Sequence, residues 1–380
     1  MEGIRYWCLN RVTSTSCFVV ILLAQECSAF ERRVFDCSLS LVPGVCFSGF
    51  DWLGHTYGRE EGDPPNGPVP LSNSTFGGSE DVDLLYDLIG EVHAYYGDTF
   101  SRDGVNGHGG AGDGDLIALD RYVAQAHLDL VLPSLCGTEG GAQADGSGRT
   151  GFCGGDVEPD TVGHEYAHVL VANLEDTADG ESRRLIYEGE SGAIEESMAD
   201  FFGEALERYV TGNSDWLVNR RSGATERSLA DPSGVVSDTY GVASPDRYLS
   251  PLFLEDGSDA AIVHVNAGIL NKAAYLASEG GVFNGYTVEG IGFEKVEQIW
   301  FRALTEYFVA DETFNLAYTH LLAAANDLYP SDDVARLDHA LRAVEIDQSR
   351  VIPEPCSLYL AVIVMAAWQR VTRRRVTAKL

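Results

Sequence analysis

Apolar residues recur three or four positions apart over long stretches of the chain, which is the spacing of one helical face. The first such stretch runs from residue 81 to residue 96 and contains Val82, Leu85, Leu88, Ile89, Val92 and Tyr96. The same period predicts further helices over residues 160–174, 191–210, 262–279, 291–308, 312–328 and 332–344.

The first half of the chain has a different pattern. Residues 30–80 are rich in turn-forming Gly, Pro and Asn between short segments, and residues 116–135 are compatible with strands. Residues 103–115 predict a loop, and residues 137–151 predict a flexible insert. A mixed N-terminal half followed by a helical C-terminal half predicts an α+β fold.

Composition narrows the range of partners. The chain has 380 residues, 58 acidic against 26 basic side chains, and a formal net charge of −32. Because phosphate binding needs clustered Lys and Arg, this balance excludes nucleic acid as the expected partner. It suits bound divalent cations. With 45% hydrophobic residues the chain can bury a sizeable core, and its length fits about two domains.

The N-terminal residues have the pattern of a secretory signal. Arg5 and Arg11 precede an apolar stretch at residues 17–24, and small residues follow at 27–29. The stretch is too short to span a membrane, so we predict a signal peptide over residues 1–29. A buried N-terminal strand is the alternative.

The C-terminal residues resemble the PEP-CTERM sorting tail of bacteria that export proteins through an exosortase. The order is Pro353-Glu354-Pro355, a mostly apolar run over 356–368, and an arginine cluster within 370–375. The resemblance implies an exported protein of a Gram-negative-type bacterium, found at the cell surface, in the matrix or secreted. It also implies exosortase-type machinery as a partner, and membrane contact through this tail alone. An amphipathic C-terminal helix is the alternative.

Four of the eight cysteines lie between these two segments. An exported chain permits disulfides. We predict local pairing, Cys37 with Cys46 and Cys136 with Cys153, although four cysteines allow three connectivities.

The strongest chemical signal is the hexapeptide Gly163 to His168, which contains His-Glu-Tyr-Ala-His. On a helix, His164 and His168 lie on one face and can bind one zinc ion together. Glu165 then lies beside the metal as a candidate general base. Downstream, Glu196 and Asp200 have the same four-residue spacing. One of these carboxylates can complete the zinc site, and the other can accept the free N–H of a ligand histidine.

These motifs resemble those of the thermolysin family of zinc metalloendopeptidases. The resemblance implies a two-lobed zincin with a mixed, β-rich N-terminal lobe, a helical C-terminal lobe and an active-site cleft between them. It also implies that His164, His168 and Glu196 bind zinc, that Glu165 is the general base, and that Asp200 orients a ligand histidine. The matching stretches are residues 164–168, 187–203, 227–232, 263–266, 271–275 and 291–329.

The resemblance assigns further catalytic and substrate-binding residues. His264 matches a histidine that stabilises the oxyanion, Asp259 matches its orienting carboxylate, and Tyr187 matches a second oxyanion donor. Arg227 matches an arginine that binds a substrate carbonyl. Asn266 is expected to support the same wall of the site.

A structural calcium ion is the second implied cofactor. The acids of the family's main calcium site match Asp160, Glu207 and Asp215. Acids of the paired second ion fall at Leu217 and about Arg220, so one calcium ion is expected rather than two.

Two departures bear on the substrate. The family's substrate-edge strand carries an Asn-Ala-aromatic-Trp run, which is missing, and residues 121–136 are expected to occupy that stretch. The pocket after the scissile bond has Glu226 in place of an apolar residue, and Thr161 replaces another. We therefore hypothesise that Glu226 admits a basic substrate residue.

The sequence thus predicts an exported zinc endopeptidase acting on a protein or peptide substrate. The predicted domains are a signal peptide (1–29), an N-terminal lobe with the zinc helix (30–185), a helical C-terminal lobe (186–348) and a sorting tail with a short transmembrane helix (349–380). The alternative is a catalytically silent, metal-stabilised surface or matrix protein on a peptidase scaffold. Glu165, His264 and Arg227 count against it, because a silent scaffold does not need them.

Overall fold

The structure is a computed structural model, and it describes residues 31–36, 57–60, 62–65, 79–108, 121–126, 141–144, 149–178, 180–221 and 224–350. The predicted signal peptide, nearly all of the predicted sorting tail, and Cys37, Cys46 and Cys136 lie outside these residues. Cys153 is disulfide-bonded. The pairing of the four cysteines stays a prediction. Within the described residues, no helix combines the length and the apolar character needed to cross a membrane.

The N-terminal strands form one mixed five-stranded sheet. In spatial order it runs β2-β1-β3-β5-β4. The central strands β1, β3 and β5 are parallel, while β2 and β4 are antiparallel to their neighbours at the two edges. The strands are β1 (Glu31–Asp36), β2 (Tyr57–Glu60), β3 (Arg121–Ala126), β4 (Ala142–Ala144) and β5 (Arg149–Phe152).

The sheet corrects two expectations. Residues 121–136 were expected at the substrate edge, but β3 pairs with strands on both sides and lies in the middle of the sheet. The edge strand next to β5 is β4, within the segment predicted to be a flexible insert. Backbone hydrogen bonding to β5 places Ala142–Ala144 in the sheet, and no local sequence pattern reports that pairing.

The helix α1 (Ser79–Phe100) packs on the sheet and contains the first predicted helix. Its apolar positions Val82, Leu85, Ile89 and Val92 are fully buried. Tyr96, near its C-terminal end, packs on Tyr166 with ring centroids 5.1 Å apart. The amphipathic period therefore predicts both the helix and the face that it buries.

Two helices pack along each other and build the centre of the molecule. They are α2 (Pro159–Ala172), which has Pro159 at its first turn, and α3 (Gly189–Thr211), which ends at Gly212. Gly212 has a φ of 82°, a left-handed conformation that favours glycine at a helix end. Both helices agree with their predictions to within two residues.

The predicted helix over 262–279 is divided. Ser258 caps α4 (Asp259–Asn266) by accepting a hydrogen bond from the Ala261 N–H, and α5 (Gly268–Glu279) follows after Ala267. Ala267 keeps helical backbone angles, so the chain bends there rather than leaving the helical conformation. A Cβ at Gly268 would come within 2.6 Å of the Pro245 carbonyl oxygen, a tertiary contact that periodicity does not report.

The remaining helices confirm the helical C-terminal half. They are α6 (Phe293–Glu306), α7 (Phe314–Leu328) and α8 (Ser331–Ala343). Two hairpins accompany them, β6 (Leu217–Arg221) with β7 (Ala224–Ser228), and β8 (Gly281–Phe283) with β9 (Tyr286–Val288). One buried hydrophobic cluster contains residues from Val34 in the sheet to Ile346 after α8. The division into two lobes and the domain boundaries remain predictions.

Candidate metal centre and active site

Three side chains from α2 and α3 converge on one point. The Nε2 atoms of His164 and His168, one turn apart on α2, are 3.1 Å from each other. Glu196 on α3 lies with Oε2 3.6 Å from His164 Nε2 and Oε1 3.4 Å from His168 Nε2. Their potential ligand atoms all fall within 4.8 Å of one another. These are the three residues that the resemblance implies as zinc ligands.

The donor set fits a zinc ion. Glu196 is fully buried, and within the described residues its Oε2 atom has no hydrogen-bond partner. A buried carboxylate oxygen without a donor is costly unless a cation satisfies it. Two imidazoles and one carboxylate are a ligand set used by catalytic zinc sites, in which a further position stays open.

The other ring nitrogen of each histidine faces a carboxylate. His164 Nδ1 lies 3.0 Å from Asp200 Oδ1, and His168 Nδ1 lies 2.9 Å from Glu195 Oε1. These contacts direct both Nε2 atoms toward Glu196. Asp200 was among the predicted residues, but Glu195 was not. Its position directly before Glu196 was the only sequence signal, and adjacent residues do not share a helical face.

Asp200 is held by a buried network. The Arg227 guanidinium donates two hydrogen bonds to it, from Nε at 3.0 Å and Nη2 at 2.7 Å, and Asn271 Nδ2 donates a third at 2.8 Å. Burial would raise the pKa of Asp200, but Arg227 and His164 hold it well below the usual range. Asp200 therefore remains a carboxylate. Arg227 thus contacts a carboxylate behind the site through two of its donors, and its predicted role in binding a substrate carbonyl stays a prediction.

Glu196 is also stabilised as a carboxylate. Burial would raise its pKa, but His264, His168 and His164 hold the pKa well below its usual value. The Tyr187 hydroxyl donates a hydrogen bond to Glu196 Oε1. Burial and the neighbouring Glu196 raise the pKa of Tyr187, so its hydroxyl keeps the proton that it donates.

Glu165 lies on α2 next to the first histidine and is 6% exposed. Burial raises its pKa, and the two histidines oppose that shift. A buried carboxyl group of raised pKa holds a proton more readily than an exposed one, which is a property of a general base that must accept one.

His264 faces the metal site from α4. Its Nε2 atom lies 3.4 Å from Glu196 Oε2, and its Nδ1 atom lies 2.7 Å from the Ala260 carbonyl oxygen. Because a carbonyl only accepts, Nδ1 carries a proton in this arrangement. Asp259, predicted to orient His264, is an exposed residue at the start of α4. The structure therefore gives the orienting contact to the Ala260 carbonyl instead of Asp259.

A short loop lies next to His264. The Val236–Ala243 bridge closes this loop, and the Tyr240 ring within it is 5.5 Å from the His264 ring between centroids. The Ser237 hydroxyl in the same loop donates to Glu226 Oε2 at 2.8 Å. Glu226, predicted to meet the substrate, thus also anchors this loop. Tyr240 was missed because nothing in its sequence neighbourhood signals chemistry.

Asn266 has a different role from the wall residue expected. It is almost fully buried, and its amide accepts from the Leu254 N–H and donates to the Leu254 carbonyl, both at 2.9 Å. It therefore joins α4 to the segment before that helix.

A second acidic cluster lies at the C-terminal end of α3. It consists of Glu204, Glu207 and Asp215, whose ligand oxygens fall within 4.8 Å of one another. Glu207 and Asp215 were predicted calcium ligands, but the third predicted ligand, Asp160, is not in this cluster. Asp160 instead accepts a hydrogen bond from the Thr161 N–H at 2.8 Å.

Glu204 is the residue that the sequence analysis missed in this cluster. It is fully buried, and its Oε2 atom accepts from the Ser214 hydroxyl and from the Trp216 N–H. Within the described residues, Oε1 has no hydrogen-bond partner. Burial raises the pKa of Glu204 to about 9.

Comparison with known proteins finds relatives that are metallopeptidases. Residues 183–346 match the family model of the thermolysin metallopeptidase alpha-helical domain. The chain is 34% identical over 274 residues to Bacillolysin of Bacillus cereus, covering 70% of this chain and 44% of that protein. It is 38% identical over 212 residues to Thermolysin of Alicyclobacillus acidocaldarius, covering 53% of this chain and 35% of that protein. The chain thus spans less than half the length of these relatives.

The fold also has a solved counterpart. The structure of the precursor of protealysin, a metalloproteinase from Serratia proteamaculans, superposes with a TM-score of 0.59. The match covers 83% of this chain and 88% of that one at 21% identity, so it supports the fold alone. The helical half of the chain, residues 183–346, is thus similar to the alpha-helical domain of thermolysin metallopeptidases.

Proposed function

We propose that this chain is a zinc-dependent endopeptidase that hydrolyses internal peptide bonds. The observation that carries the proposal is the convergence of His164, His168 and Glu196, with buried Glu165 beside them. Thermolysin-family enzymes use catalytic Zn²⁺ and structural Ca²⁺. A zinc ion held by these three residues would supply Lewis acidity and lower the pKa of water at the site.

In this proposal the protein residues divide the remaining work. Glu165 accepts a proton from the attacking water and later returns it to the leaving amine. Tyr187 and His264 donate hydrogen bonds where negative charge develops on the carbonyl oxygen of the substrate. His264 does so in its doubly protonated form, because the proton on Nδ1 is already donated to the Ala260 carbonyl and a donor at Nε2 requires a second proton.

The substrate is proposed to bind along β4. This strand is at the edge of the sheet and contacts α2, which carries the two histidines. An edge strand offers backbone N–H and C=O groups to an extended peptide, which can add to it as a further strand. The small side chains of Ala142 and Ala144 leave room for such a peptide.

The test uses the purified full chain and a mixture of internally quenched peptides. Chelator-sensitive cleavage that is restored by zinc is expected, together with a loss of at least about 100-fold in Glu165→Gln. Glu181→Gln changes an exposed loop carboxylate and is the matched control, with unchanged rates expected. Bound zinc without cleavage would contradict the proposal in favour of the silent scaffold. Undiminished cleavage by Glu165→Gln would reject Glu165 as the base.

We also propose export through the tail described in the sequence analysis. Support comes from the Pro353-Glu354-Pro355 motif, the apolar run after it and the terminal arginines. In a bacterium that has an exosortase, the full chain should fractionate outside the cytoplasm. A variant with Pro353→Ala and Pro355→Ala should stay in the inner-membrane fraction, and cytoplasmic recovery of the unaltered chain would contradict export.

A further inference from the structure

The carboxylate of Glu195 belongs to the metal site although it faces away from the metal. Glu195 is 7% exposed, and its Oε1 atom lies 2.9 Å from His168 Nδ1. A histidine that offers the Nε2 lone pair to a metal must carry its proton on Nδ1. The Nδ1–H of His168 therefore donates to Glu195, and the ring orientation is fixed.

Asp200 and Glu195, the two carboxylates behind the histidines, differ in the number of groups that contact them. Asp200 shares its charge between His164, the Arg227 guanidinium and the Asn271 amide. Glu195, within the part of the chain that the structure describes, has no arginine or lysine partner. Its negative charge therefore acts on His168 without being offset by a neighbouring cation.

We propose that Glu195 is a positioning residue that strengthens His168 as a zinc ligand. A buried carboxylate behind an imidazole raises the electron density on the ligating nitrogen and fixes its tautomer. At 2.9 Å from Nδ1, the buried Glu195 carboxylate is placed to hold the His168 ring with its Nε2 atom toward Glu196. The inference rests on the proposed zinc site but not on cleavage.

The experiment measures the zinc dissociation constant of the metal-free full chain by competition with a coloured chelator. Glu195→Gln keeps an oxygen that can accept the Nδ1–H bond, so it removes charge while preserving ring orientation. We expect zinc affinity to fall about 10- to 100-fold. The matched control is Glu190→Gln on the same helix, whose carboxylate accepts from Tyr248 and from the Phe314 N–H. Its zinc affinity should equal that of the unaltered chain.

Urea unfolding of the metal-free variants separates an effect on zinc affinity from an effect on stability. If Glu195 only supported the fold, Glu195→Gln would lower the free energy of unfolding and leave the zinc dissociation constant unchanged. If the Gln variant does not fold, Glu195→Asp retains the charge one methylene further away, and an intermediate loss is expected. Zinc affinity of Glu195→Gln within twofold of the unaltered chain would overturn the inference while leaving the proposed zinc site standing. Failure of the unaltered chain to bind zinc would overturn both.

Discussion

Gly163 of α2 and Gly203 of α3 face each other where the two helices cross. A Cβ at Gly163 would lie 2.9 Å from the Gly203 Cα, and a Cβ at Gly203 would lie 2.4 Å from the Asp160 carbonyl oxygen. Only hydrogen atoms fit between the backbones at this crossing. The close approach brings side chains of α2 and α3 into contact, and His164 Nδ1 lies 3.0 Å from Asp200 Oδ1.

Replacement of Gly203 by Ala should therefore separate the helices and displace the metal ligands. Overpacking of this kind costs about 1–3 kcal/mol, and zinc affinity should fall because the donor atoms no longer converge. The measurements are the free energy of unfolding in urea and the zinc dissociation constant. Gly97→Ala in α1 is the control, since a Cβ there would lie 3.8 Å from the Arg102 carbonyl oxygen, an ordinary van der Waals contact. The free energy of unfolding of Gly97→Ala should rise by about 0.5–1 kcal/mol. Unchanged zinc binding in Gly203→Ala would show that the crossing can open without consequence.

The acidic cluster of Glu204, Glu207 and Asp215 predicts calcium-dependent stability. A ligand that binds only the folded state adds about 2.7 kcal/mol at a concentration 100 times its dissociation constant. The thermal midpoint should rise with added CaCl2 and fall with a calcium chelator. In Glu204→Gln the calcium-induced rise should shrink, while Glu279→Gln, an exposed acid outside the cluster, should keep it. An equal rise in both variants would remove Glu204 from the site.

Glu297 predicts a pH dependence of stability. Its Oε2 atom lies 3.1 Å from the Tyr95 hydroxyl, and burial raises the pKa of Glu297 to about 7. Between pH 4.5 and pH 7 the unfolded chain has released this proton and the folded chain retains it. The contribution of Glu297 to stability therefore declines as pH rises through this window, by at most about 3 kcal/mol.

Comparison with Glu297→Gln isolates this contribution. From pH 5 to pH 8, the unfolding free energy of the unaltered chain should fall relative to that of Glu297→Gln. Urea unfolding at several pH values measures it. A pH-independent difference would mean that Glu297 titrates alike in the folded and unfolded chains.

Glu226 predicts a preference for basic residues directly after the cleaved bond. One carboxylate oxygen is engaged by Ser237, so the side chain is held in place next to Arg227 on β7. Cleavage of a peptide library should reveal Lys and Arg at that position, and Glu226→Leu should shift the preference to bulky apolar residues. Ser237→Ala, which frees the carboxylate, should broaden the preference. If the unaltered chain accepts only bulky apolar residues directly after the cleaved bond, the hypothesis is wrong.

Periodicity and spacing were enough to predict several features of this protein. Apolar residues at helical spacing determined α1, α2, α3 and the C-terminal helices, because the order of apolar and polar residues within a helix decides which face it buries. The four-residue spacing of His164 and His168 is likewise a local property, and it suffices to place two imidazoles on one side of α2. The composition determined the acidic character of the chain.

Contacts between distant segments decided the rest. The carboxylate of Glu195 on α3 meets His168 on α2 only because the two helices pack against each other. The edge position of β4 depends on pairing with β5. A sequence specifies these contacts through the packing of whole elements, whose positions no local pattern encodes.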